Sequence, residues 1–262
     1  MATPTTSKIV RRQHRFWLIW LLLMLLLSVG IGYWWWQKTK MDAAEFAVYK
    51  GFQIPIPTGY EIHGVDVSKY QGFVAWKKLQ QMREKDIRLH FAFIKATEGL
   101  GKIDAQFERN WHESKKAGMV RGAYHFFLPT KDGKAQAKHF LRTVTLAPGD
   151  LPPVLDIEQL YGVSPEKMRK EIKAWLTTVE NATGVRPILY TYVNFYERFL
   201  GDDFNGYTLW AAHYFQPEQP RIQRQWHFWQ HSEKGRVNGV VGPIDMNVFN
   251  GDSTEFAKLL LQ

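Results

Sequence analysis

The sequence predicts an α/β fold: an irregular (β/α) barrel, TIM-like with degenerate last βα units, preceded by a single N-terminal transmembrane helix. Three observations carry this prediction. From residue 61 to about residue 192, short apolar strand-like runs alternate with amphipathic helix-like runs, the pattern of a parallel sheet covered by helices. Three further strand-like runs follow with little helix between them, and eight strands are enough to close a barrel. Ahead of everything lies FWLIWLLLMLLLSVGIGYWWW, residues 16–36, without a charge.

About 20 apolar residues cross a bilayer as a helix. Trp and Tyr stand at both ends of 16–36, where aromatic side chains meet lipid headgroups. Lys8, Arg11, Arg12 and Arg15 precede the run, so positive charge puts residues 1–15 in the cytoplasm and everything after about residue 40 outside. A cleavable signal peptide, argued from Gly30-Ile31-Gly32, is the alternative, and it exports the same domain. Residues 37–60 read as a linker, because Ile54-Pro55-Ile56-Pro57 disfavours helix.

Residues 61–262 form the exported domain. Its first strand is expected at 61–67 and its first helix at 74–82. A strand at 90–97 leads to an amphipathic helix at 104–117 that Gly118 stops. A third strand at 121–127 precedes a helix at 133–144, and the fourth strand lies in LPPVLDIEQL, 151–160. The helix at 165–182 has Ser164 as N-cap, Pro165 at its first position and Gly184 beyond its end. A fifth strand at 187–192 is followed by TLWAAHY, WHFWQHS and IDMNVFN as the last three, and a short helix at 254–261 closes the domain.

The 262 residues include no cysteine, which excludes disulfides, thiolate metal sites and cysteine nucleophiles. Of the net charge of +9, six units come from Lys8, Arg11, Arg12, Arg15, Lys38 and Lys40, which leaves +3 for the rest of the chain and makes the exported domain only mildly basic. With no dense basic run, nucleic acid is not an expected partner.

The fourth strand interrupts an apolar run with Asp156 and Glu158. Side chains in a strand alternate, so these two share a face while Leu155 and Ile157 take the other. In a parallel barrel that face points inward, toward the end where barrel enzymes carry their sites. Other polar groups fall at the same level. Asp66 ends strand one, Glu98 follows strand two, and Tyr124 and His125 lie on strand three. Tyr190, Trp210, Trp229, Gln230 and Asp245 lie on strands five to eight. A ring of acids and aromatics suits glycoside cleavage, which needs a protonated acid at the leaving oxygen and a negative group near the developing cation. Crowded carboxylates raise one another's pKa and keep one proton near neutral pH. Tyr124, Tyr190, Trp210, Trp229 and Gln230 are the expected substrate-binding side chains.

Two other classes of function fit parts of this pattern. A metal-dependent sugar deacetylase would use Asp66, Asp156, His125 and Asp245 as ligands, although no HExxH-type spacing occurs and the expectation is no metal and no cofactor. A non-catalytic wall-binding module would keep the fold alone.

The blocks HGVDVSKYQG, FAFIKATEG, GAYHFFLP, PPVLDIE, PILYT, LWAAHY, FWQHS and DMNVFNG resemble, in order, the landmarks of the glycoside hydrolase family 25 lysozymes, the Chalaropsis-type muramidases. The resemblance runs from about residue 63 to 251. It implies a β/α-barrel-like fold and hydrolysis of the β-1,4 bond between N-acetylmuramic acid and N-acetylglucosamine. It places Glu158 at the general acid/base and Asp156 at its partner, either nucleophile or orienter of the substrate's 2-acetamido group. Asp66 joins them as a catalytic residue, while Asp245, which completes the mouth, and Glu98 match acids considered catalytic or substrate-positioning. The expected partners are peptidoglycan glycan strands and, through the N-terminal helix, the bacterial inner membrane, with the catalytic domain in the periplasm.

Overall fold

The computed structural model describes residues 6–41, 46–57, 59–216 and 219–262, with side chains described at 17, 19–35, 49–57, 59–216 and 219–262. The chain divides into two compact units, Met1–Ala43 and Ala44–Gln262. The first contains one helix, α1 (Thr6–Met41), whose large apolar side chains between Trp17 and Trp35 stand exposed. Among the described residues, no helix is long and apolar enough to cross a membrane. The anchor expected at 16–36 is therefore not supported here. The side chains of residues 16, 18 and 36 lie outside the described residues.

In the second unit, eight strands close into a barrel: β1 (Ile62–Val67), β2 (Ile87–Glu98), β3 (Val120–Phe126), β4 (Val154–Asp156), β5 (Ile188–Tyr192), β6 (Thr208–Ala212), β7 (Phe228–Gly235) and β8 (Ile244–Phe249). Neighbours pair in order from β1 to β8, and β8 pairs back with β1. Strands β1 to β7 run parallel, while β8 is antiparallel to both its neighbours. An all-parallel sheet was the expectation. The short link 236–243 after β7 explains the difference, because it is too short for a crossover helix and returns the chain as a hairpin.

Helices α2 (Trp76–Gln81), α3 (Phe107–Lys116), α4 (Gly133–Thr143) and α5 (Pro165–Thr183) fill the first four connections, with α6 (Ser253–Leu259) at the end. Their caps are those the sequence suggests. Ser164 accepts from the Lys167 amide at 3.3 Å, and Gly184 ends α5 in the left-handed region at φ 70°. After β5 the long crossover helices give way to a run of short helical turns over 193–204 and, after β6, a loop over 213–227. The degenerate last units of the expected barrel are these. Residues 46–57, expected as linker, instead form a β-hairpin, Phe46–Tyr49 against Ile54–Pro57, that buries Phe52 and Ile56 and ties to the residue after β7 (Arg236 N to Phe52 O, 2.9 Å).

Alternation sorts the strands into two cores. Leu155, Ile157, Leu189, Leu209 and Val248 face the helices. Ile62, Phe91, Phe93, Ile188, Trp210, Phe228 and Phe249 face inward, and Phe256 of α6 packs among them from below. Gly64 makes room for Phe91, since a Cβ there would lie 2.6 Å from its ring. Each buried aromatic contributes about 1.5–3 kcal/mol. Together they make a stiff floor, with the polar mouth above it.

Candidate active site

Each strand raises its next inward residue above this floor. On β1 that residue is Asp66, on β2 Lys95, on β3 Tyr124, on β4 Asp156 with Glu158 just beyond, on β5 Tyr190 and on β7 Gln230. On β8 the order reverses. Because that strand runs antiparallel, Asp245 near its start, not its end, reaches the mouth and sits directly across from Asp66.

Asp66 is buried and saturated. Its Oδ2 accepts from Gln230 Nε2 and from Asn247 Nδ2, both at 2.8 Å. The two amides are themselves held. Tyr190 and Tyr214 donate their hydroxyls to Gln230 Oε1 at 2.8 and 2.6 Å, and Trp210 Nε1 donates to Asn247 Oδ1 at 2.8 Å. These outer donors fix which amide atom faces Asp66. Burial pushes the Asp66 carboxyl up to about 6, against the pull of the two amides. Burial and the Asp66 charge push Asp245 further, to about 9, so Asp245 keeps its proton and gives it to Asp66 as a hydrogen bond.

The second pair is furnished differently. Asp156 is buried, and its Oδ1 has no hydrogen-bond partner. Burial and the neighbouring Glu158 hold its carboxyl well above the usual range, and Lys95 pulls the other way. Glu158 is also raised, by burial and by Asp66, while the Lys95 charge and a hydrogen bond from Asp156 oppose the rise. The pair thus holds a proton that two exposed carboxylates would have lost, and in the unliganded site Asp156 is the donor to Glu158.

Glu98, expected as a catalytic or positioning acid, is held between Lys95 at 3.0 Å and Lys102 at 2.7 Å. Burial is the largest single influence and raises its pKa, but the hydrogen bonds and charges of the two lysines together outweigh it and lower the pKa overall. It is an ionised counter-charge at the rim, beside the pair and not within it.

Among the expected substrate-binding residues, Tyr124, Tyr190 and Gln230 face the mouth. Trp210 lies beneath it, stacked on Phe93 at 4.2 Å and fully buried, so it supports the floor and presents no open face. Trp229 does not join them. As the neighbour of Gln230 it takes the opposite side of β7, where it donates to His213 O at 3.0 Å and packs on Tyr60 and Trp226. Strand alternation forbids both from facing inward. The same rule removes His125 from the proposed metal-ligand set. It points to the helix layer, bonded to Thr97 Oγ1 at 2.7 Å and stacked on Trp175. Among the described residues no group of three His, Cys, Asp or Glu side chains is placed to hold a metal ion.

Sequence reasoning missed Lys95, Asn247, Tyr214 and Tyr161. Asn247 stands two residues from Asp245 and Lys95 two from Phe93, so the alternation that selects Asp156 and Glu158 selects them too. Tyr161 lies in a loop, 45 % exposed, with φ +49°, a strained position for a residue with a side chain. No periodic signal marks it.

A closed barrel whose mouth carries coupled carboxyl pairs on an aromatic floor is the site of a glycoside hydrolase. The comparisons agree. The sequence model of glycosyl hydrolases family 25 matches residues 65–240, and the chain belongs to that family. It is 47 % identical over 206 residues to the uncharacterized protein YegX of Escherichia coli K12, covering 79 % of this chain and 76 % of that one. Lysozyme M1 of Streptomyces globisporus is 35 % identical over 214 residues, 76 % of this chain and 71 % of that enzyme. A family 25 glycosyl hydrolase from Bacillus anthracis superposes with a TM-score of 0.73 at 32 % identity, over 82 % of this chain and all of that one. The Chalaropsis enzyme is a more distant relative, at 28 % identity.

Proposed function

We propose that this glycoside hydrolase is a lysozyme that cleaves peptidoglycan at the β-1,4 bond between N-acetylmuramic acid and N-acetylglucosamine. The observation that carries the reading is the Asp156–Glu158 pair at the mouth, Asp156 buried with one oxygen unpartnered, Glu158 half-buried, and both carboxyls raised above their usual range. Glu158 serves as the acid and base, and Asp156 as its partner. A carboxyl that burial and a neighbouring acid make reluctant to ionise is a poor nucleophile, so the substrate's own 2-acetamido oxygen attacks the anomeric carbon, an accepted variant of glycoside hydrolysis.

The protons balance as follows. The shared proton passes from Asp156 to Glu158 along their hydrogen bond, and Glu158 gives it to the departing glycosidic oxygen. Asp156, now ionised, accepts from the acetamido N–H as positive charge grows on that group. Water then opens the cyclic intermediate, losing a proton to the Glu158 carboxylate, and the product retains its anomeric configuration. Asp66 supplies fixed negative charge near the developing cation. Asp245 and the two amides hold Asp66 in place, and Glu98 keeps Lys95 beside the pair. Tyr124 and Tyr190 line the sugar, and Gln230 acts on it through Asp66.

The test is digestion of purified peptidoglycan by the full-length chain, with new reducing ends identified by reduction and mass spectrometry. Muramic acid at the new ends, lost in Glu158→Gln, supports the reading. Glucosamine ends refute the bond assignment.

We further propose that residues 16–36 tether the enzyme to the bacterial inner membrane, N-terminus in the cytoplasm and barrel in the periplasm. The uncharged run and the basic residues before it support this. Release of the intact chain from membranes by alkaline carbonate would refute it.

A further inference from the structure

A second concavity of about 570 Å³ opens at the rim, within the range of small-ligand sites. Its walls include Ile54 and Pro55 of the hairpin, Tyr214, Phe215 and Gln216 after β6, and Lys234 at the end of β7. Ile54 and Pro55 lie outside the span matched by the family's sequence model, residues 65–240.

Three features say what would enter. The lining is mainly apolar, with Ile54, Pro55 and the ring of Phe215. Phe215 is 82 % exposed and held at φ +57°, a conformation unfavourable for a residue with a side chain. One acceptor is left dry. Gln216 Oε1 is buried with no partner, while its Nε2 donates to Tyr214 O at 3.3 Å. A buried unmade hydrogen bond costs about 1–3 kcal/mol, so the site rewards a ligand that brings an N–H. Finally, Glu233 and Lys234 put one charge of each sign at the pocket, which selects for amide and apolar character over net charge.

The pocket is joined to the site already described by shared hydrogen bonding. Tyr214 forms one of its walls and donates to Gln230, which in turn donates to Asp66. A muramic acid bound at the mouth carries a lactyl group from which the stem peptide hangs sideways off the glycan. We propose that this pocket receives the first, alanyl part of that peptide, its methyl groups against Ile54, Pro55 and Phe215 and its amide N–H on Gln216 Oε1. This rests on the muramidase reading and makes Phe215 and Gln216 specificity determinants for peptide-bearing glycan.

The test compares kcat/KM of the full-length chain on intact peptidoglycan and on the same glycan stripped of its peptides by an amidase. The expected preference for intact substrate is fivefold or more. In Phe215→Ala and Gln216→Leu the ratio falls toward one, with the change carried by KM. Equal rates of the wild type on both substrates overturn the proposal, as does an equal loss on both in the variants. Calorimetric binding of N-acetylmuramoyl-L-alanyl-D-isoglutamine against N-acetylmuramic acid to the Glu158→Gln chain separates the two readings. Failure of cleavage with tighter binding of the peptide-bearing ligand, weakened by Phe215→Ala, keeps the pocket and rejects the muramidase. Equal binding of both ligands rejects the pocket.

Discussion

Two pairs of carboxyl groups face each other across one barrel mouth, and the structure treats them in opposite ways. Asp66 and Asp245 are tied down: two amides donate to Asp66, and two tyrosines and a tryptophan hold those amides. Asp156 and Glu158 lean mainly on each other, with an oxygen of Asp156 left bare. The first pair makes a fixed charge. The second shares a proton and leaves an acceptor unpartnered, as the proposed proton transfer requires. A site can therefore be located by where the hydrogen bonding is incomplete as well as by where the charges gather.

The sharpest way to break this contrast is to mutate each side and read rate against stability. Glu158→Gln should lower kcat by about 10³-fold or more, and Asp156→Asn by about 10²-fold, since each removes a proton-handling group. Thermal unfolding of both should stay near wild type, because few hydrogen bonds are lost. A large fall in Tm for Asp156→Asn would mean that the open pair is structural after all.

Asn247→Leu should do the reverse. It strips Asp66 of one donor and leaves Trp210 Nε1 without an acceptor, at a cost of about 2–4 kcal/mol in denaturant unfolding. A neutral result would mean that the clamp is ornamental.

The third prediction concerns pH. Asp245 holds its proton to about pH 9 when folded but to about pH 4 when unfolded. The folded state therefore binds more protons across that interval, and its stability falls as pH rises through it. Between pH 7 and 9 the wild-type Tm should decline, and Asp245→Asn should flatten that decline. On the acid side the buried histidines act in the opposite sense. His125 and His231 are depressed to about 3 by burial, so stability is lost as pH drops below about 6.5.

Smaller effects sharpen the picture of the open pair. Lys95 lowers both of its carboxyls, so Lys95→Met should move the alkaline limb of the kcat profile to higher pH. An unmoved limb would separate Lys95 from the catalytic proton. Glu98→Gln should be the mildest change, a rate loss under about tenfold, because it removes a rim counter-charge and no reacting group. A loss as large as that of Glu158→Gln would restore Glu98 to the catalytic set.

Much of this was legible in the chain. The strand period put Asp156 and Glu158 on one face, and the same period, applied to IDMNVFN, selects Asn247 together with Asp245. Trp229 and Gln230 are neighbours and cannot share a face, and neither can Tyr124 and His125. The proline-containing stretch at 54–57 was read as linker, yet it pairs as a hairpin edge, where the missing N–H groups of proline are tolerated.

The sequence by itself determined which side chains face inward on each strand, because alternation is a property of the local backbone. It determined where α5 starts and stops for the same reason, since caps act within one turn. Only the tertiary structure decided which inward residues meet. Asp66 finds Gln230 and Asn247 across 164 and 181 residues of chain, and Asp245 reaches the mouth because β8 turns back on β7. Closure of the barrel brings these groups together, and the burial that closure creates raises the carboxyls. Proton affinity in the site is thus a property of the closed barrel, and no short stretch of sequence carries it.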